Sequence, residues 1–79
     1  MFIKLYDRFI HTVISLQHKK KAEAFLGDLL TETEKIMLTK RFAIILMTTR
    51  GMSSYKIKKV LNVSSSTVSR IQDEMDRGE

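Results

Sequence analysis

Residues 50–72, RGMSSYKIKKVLNVSSSTVSRIQ, decide how the chain is read, because they spell two short helices joined by a tight turn. Ser53 can cap a first helix over about residues 54–61, in which Ile57, Val60 and Leu61 fall at i, i+3 and i+4 and so share a face. Asn62 comes directly after Leu61, and Asn is one of the few residues that readily enters the left-handed conformation at a helix stop. Val63 then fills the corner. Ser64 or Ser65 can cap a second helix whose buried stripe is Val68, Ile71 and Met75, with Ser65, Ser66, Ser69 and Gln72 on the opposite face. The pattern predicts a helix-turn-helix.

A face that is short, polar and rich in hydroxyls suits a helix that enters a major groove and meets base edges and phosphates. The bland alternative is a helical hairpin with a solvated serine face. Charge distribution argues against it. From Lys35 to Gln72 there is no Asp or Glu, while Lys35, Lys40, Arg41, Arg50, Lys56, Lys58, Lys59 and Arg70 all fall in that window. Nine acids are present and all lie outside it, within a formal net charge of +5. An acid-free basic block around a helix-turn-helix pattern points to a polyanion, since each neutralised phosphate releases counterions and adds affinity.

At 79 residues the chain is one domain at most, and a monomer of that size buries too little surface to be comfortably stable. Cys is absent, so no disulfide compensates, and with only two His the usual structural zinc sites are excluded. Oligomerisation remains. The opening MFIKLYDRFI is interrupted by Lys4, Asp7 and Arg8 and has no cleavage site, and no segment has membrane-spanning length. A cytoplasmic, nucleoid-associated protein is expected.

The front half explains what an oligomer would bury. Residues 2–17 place Phe2, Leu5, Phe9, Val13 and Leu16 at helical intervals, with Ile3, Tyr6, Ile10 and Ile14 widening the stripe beyond half the circumference. So wide a face predicts contact with two surfaces, one of them another subunit. A membrane-surface helix is the alternative. His11 and His18, seven apart, are expected on one face with no third metal ligand in register. Lys19, Lys20 and Lys21 are expected at the helix end or in the connection, where the macrodipole favours cations. A second helix over about residues 22–30 is weakened at Gly27 by roughly 1 kcal/mol relative to Ala. Thr31 with Glu34 three residues later is a capping box that starts a third helix, to be ended near Arg50 by Gly51. Its run Phe42-Ala43-Ile44-Ile45-Leu46-Met47 is apolar on every side, as the centre of a dimer core would be.

This arrangement resembles the Trp repressor family over roughly residues 22–74. The resemblance rests on Leu30-Thr31 with its acids, Arg41, Gly51-Met52-Ser53 and the stretch from Leu61 to Arg70. Its most specific part is Ser66-Thr67-Val68-Ser69-Arg70, set against the family's alanine-threonine-isoleucine-threonine-arginine. It implies an all-α, intertwined homodimer of about five helices per chain, with residues 1–50 for dimerisation and residues 51–79 as the helix-turn-helix. It also implies that Ser65, Ser66 and Ser69 face bases, often through water, while Ser54, Tyr55, Lys58, Thr67 and Arg70 lie at or near the DNA backbone. Hydroxyls are short, and bridging water can carry specificity.

The family's namesake binds tryptophan between two arginines, matched here by Arg41 and Arg70, with a threonine matched by Thr67. Two positions depart from that pattern. Ile71 replaces a glycine and would occupy the indole's space, and Glu74 replaces a serine and would set a negative charge beside the ligand. An amino-acid corepressor at Arg41, Thr67 and Arg70 is thus conceivable, but tryptophan is disfavoured and no other cofactor or metal is expected. The expected function is a sequence-specific, dimeric DNA-binding regulator, a repressor, reading the major groove with the helix that starts near Ser65. A DNA-binding module of a mobile-element or host-factor complex and a helical protein-interaction module are the alternatives. No His, Cys or carboxylate cluster has a spacing suited to catalysis, so no enzyme activity is expected.

Overall fold

The computed structural model describes residues 1–78, and within them the chain is all-α. Its helices are α1 (Phe2–Ser15), α2 (Lys19–Leu29), α3 (Glu32–Thr49), α4 (Ser54–Leu61) and α5 (Ser65–Arg77). They fall into two compact units, the first from Met1 to Glu32 and the second from Thr33 onward.

In the first unit an aromatic row runs along α1. The Phe2 and Tyr6 rings stack with centroids 6.2 Å apart, Tyr6 and Phe9 follow at 6.3 Å, and Phe9 meets Phe25 of α2 at 6.0 Å. No residue of either helix is fully buried. Phe2, Ile3 and Ile14 are more than two-thirds exposed, so the single chain leaves the wide apolar face of α1 uncovered.

Two expectations for this unit change. The lysine run is the first turn of α2, with His18 in the extended N-cap position, rather than a helix end or connection. Lysine is a good helix former and these side chains are solvated, so propensity outweighs a dipole cost of a few tenths of a kcal/mol. His11 and His18 consequently belong to different elements, and His11 instead lies 3.4 Å from Asp7 one turn earlier.

The second unit is built on Ile44 of α3, Ile57 of α4, and Val68 and Ile71 of α5, its fully buried side chains. Met47, Met52, Leu61, Val63 and Met75 pack around them. Ile57 and Leu61, at i and i+4, face this core, whereas Val60 is 57 % exposed and does not belong to it. The reason is angular: α3 and α5 approach α4 on the Leu61 side of Ile57, which turns Val60 outward. In α3 only Ile44 is buried, and Phe42, Ile45 and Leu46 stay accessible in the single chain.

Local chemistry fixes the junctions. α3 ends in a Schellman motif: the Met52 amide donates to the Met47 carbonyl at 3.1 Å, and the Gly51 amide to that of Thr48 at 3.0 Å. Gly51 sits at φ +83°, and a Cβ there would meet nothing within 4 Å, so backbone conformation rather than space calls for glycine. α4 ends on Asn62 in the left-handed region (φ 54°, ψ 52°), with the Val63 amide donating to the Lys58 carbonyl. Asn62→Gly should therefore leave thermal stability within a few tenths of a kcal/mol of wild type, whereas Asn62→Val should cost about 1–2 kcal/mol in thermal unfolding. Equal melting of the two variants would contradict this account of the turn.

Candidate nucleic-acid interface

The helix-turn-helix is positioned by three serines and one asparagine. Ser53 Oγ accepts from the Lys56 amide at 3.2 Å and caps α4. Ser64 Oγ accepts from the Thr67 amide at 3.1 Å and caps α5. The Ser64 hydroxyl is also hydrogen-bonded to Thr67 Oγ1 at 2.8 Å and Ser66 Oγ at 3.1 Å, which ties the first turn of α5 into one network. With Asn62 turning the chain, the starts of α4 and α5 are brought side by side.

Between them lies a concavity of about 200 Å³ lined by Ser54, Tyr55, Lys58, Ser65, Val68 and Ser69. Five residues expected at DNA, Ser54, Tyr55, Lys58, Ser65 and Ser69, thus share one hollow, floored by the buried Val68. Its rim is hydroxyl-rich and cationic. Lys59 Nζ lies 5.5 Å from the centroid of the Tyr55 ring, a cation–π contact one turn along α4 that adds a second charge beside Tyr55.

Ser66, Thr67 and Arg70 line a different part of the surface. Ser66 and Thr67 are held by Ser64, and Thr67 is half-buried. Thr67 and Arg70 join Arg41, Lys40, Met37, Ile44, Val63 and Ile71 around a second cavity of about 210 Å³ between α3 and α5. Ile71 is 3 % exposed and packs into the core, yet space remains beside it. Among the described residues no ion pair joins Arg41 or Arg70 to an acid, so both guanidinium groups keep their charge uncompensated on the surface.

Two features were not apparent from the sequence. Lys40 joins Arg41 at the second cavity, which only the crossing of α3 and α5 reveals. Gln72, expected on the open face of α5, is instead half-buried and bonded to α3 and α4: its Nε2 donates to Thr48 Oγ1 at 3.1 Å, and its Oε1 accepts from Ser54 Oγ at 3.1 Å. Its spacing after Ser69 gave no signal of this.

The family model for Trp repressor protein matches residues 4–79, nearly the whole chain. The chain belongs to the Trp repressor family. That family consists of helical, non-enzymatic regulators of transcription that bind DNA. The match extends beyond the region in which the resemblance was first visible and takes in α1, whose pattern is general rather than diagnostic. No curated protein and no solved structure matches the chain. No helix among the described residues is long and apolar enough to cross a membrane.

Proposed function

We propose that this Trp repressor family member is a dimeric, sequence-specific transcriptional repressor that reads the major groove with the start of α5. The observation that carries the reading is the hydroxyl-lined, cationic concavity shared by α4 and α5, set in a stretch from Lys35 to Gln72 that contains no acid. In it Ser65, Ser66 and Ser69 face bases, and Ser54, Tyr55, Lys58, Thr67 and Arg70 lie at or near the backbone. Short hydroxyls reach base edges directly or through one water, while Lys58 and Arg70 supply the salt-sensitive part of the affinity.

The dimer is part of the same proposal. The exposed apolar faces of α1 and of α3 around Phe42 need a partner that water does not supply, and a second copy supplies both. Residues 1–50 then form the dimerisation region and residues 51–79 the reading head, with Ile44 anchoring the head to α3. Two heads about 34 Å apart would meet successive major grooves on one side of a duplex, and repression follows from occupancy of a promoter. A small effector would meet Arg41, Thr67 and Arg70 at the second cavity. Tryptophan is not that effector in our reading, because Ile71 narrows the site and Glu74 brings a negative charge near it.

A titration on duplex DNA tests the proposal. Affinity should fall steeply and log-linearly with salt, and free tryptophan should leave it unchanged. Absence of binding at low salt removes the DNA reading. A clear gain on adding tryptophan removes the effector argument alone.

A further inference from the structure

Gln72 links three helices through the two ends of one planar amide. Nε2 can only donate and Oε1 can only accept. Thr48 Oγ1 at the end of α3 takes the Nε2 proton at 3.1 Å, so the oxygen end is presented to α4. There Ser54 Oγ donates to it, also at 3.1 Å. A serine hydroxyl has one proton and two lone pairs, and this bond commits the proton.

What Ser54 offers the concavity is therefore lone pairs only. Phosphate oxygens are acceptors as well, so a Ser54 held in this sense has nothing to give them. The donors that DNA presents in the major groove are the amino groups of adenine and cytosine. Ser54 shares its hollow with Ser65 and Ser69, on the side of the helix-turn-helix proposed to meet bases.

We propose that Gln72 is a positioning residue that sets the hydrogen-bonding sense of Ser54, converting a hydroxyl implied to lie at the DNA backbone into an acceptor that reads a base amino group. The proposal rests on the reading of the α4–α5 concavity as a DNA interface. It assigns Ser54 to specificity rather than to general affinity, and it gives Gln72 a role without DNA contact.

The test compares two duplexes at fixed salt: one selected by the wild-type protein from a random-sequence pool, and a scrambled duplex of the same length and composition. Gln72→Met keeps the length of the side chain and its helix propensity but frees the Ser54 proton. It should reduce the preference for the selected duplex on the order of tenfold, while affinity for the scrambled one is kept or raised. Ser54→Ala should reduce the preference similarly, and the double variant should lose little more than either single one. Gln72→Glu still accepts from Ser54, so it should retain the preference while its charge weakens binding to both duplexes. An unchanged preference in Gln72→Met overturns the proposal. So does an equal loss on both duplexes accompanied by a lowered melting temperature, which would mark Gln72 as a structural brace. Failure of the wild-type protein to bind any duplex instead removes the DNA reading beneath it.

Discussion

Ile57→Ala should abolish the helix-turn-helix as a stable unit at ordinary temperature. Ile57 is fully buried and touches the same core as Ile44, Val68 and Ile71, and beyond these four no side chain of the described residues is fully buried. Truncating a buried Ile to Ala costs about 2–5 kcal/mol, through reduced transfer energy and the cavity left behind. For a unit this small that is most of the available stability. Thermal unfolding followed by circular dichroism, at matched protomer concentration, should show a large drop in melting temperature and reduced helicity at 25 °C. Val60→Ala is the control. Val60 is the neighbouring apolar residue of α4 but lies outside the core, and its truncation should stay within about 0.5 kcal/mol. Similar melting of the two variants would mean that the core is wrongly drawn.

That pair also marks where the sequence stops being informative. Val60 and Leu61 flank Ile57 at i+3 and i+4, and from α4 alone the two are equivalent. Only the side from which α3 and α5 arrive decides which is buried. Caps and turns, by contrast, are settled within a few residues. Ser53 and Ser64 each accept from the amide three positions on, and Asn62 adopts the left-handed turn, so the chemistry that predicts them is the chemistry that forms them. Because those junctions are local, the meeting of Ser54, Tyr55 and Lys58 with Ser65 and Ser69 was also legible. The placement of Gln72 was not. Its partners Thr48 and Ser54 lie 24 and 18 positions away, and nothing in a helical repeat announces a polar residue that turns inward to bridge.

The lysines at residues 19–21 misled for a different reason. A charge rule worth tenths of a kcal/mol was set against helix propensity summed over a turn, and for solvated side chains the sum prevails. The apolar circumference of α3 shows a third kind of limit. It identifies Phe42, Ile45 and Leu46 as surfaces in need of cover, but the single chain covers only Ile44 among its central residues.

Arg70→Ala and Ser69→Ala, adjacent on α5, should separate affinity from specificity in the proposed complex. Arg70 is exposed and carries a charge that no acid neutralises among the described residues, so it is free to pair with a phosphate. Its removal should weaken binding to every duplex and lower the slope of log affinity against log salt by about 0.9 for each phosphate that Arg70 neutralises in the wild-type complex. Ser69 carries no charge and lines the concavity with Ser54 and Ser65. Its removal should leave the salt slope unchanged and shift the preference between sequences by about 1–3 kcal/mol, the range of a single base contact. The distinction holds whatever the operator sequence is, because one variant is read from salt dependence and the other from a ratio of affinities. If the two variants shifted both quantities alike, α5 would not present separate backbone and base faces. The binding geometry would then have to be drawn around α4, where Lys56, Lys58 and Lys59 lie on a single helix of eight residues.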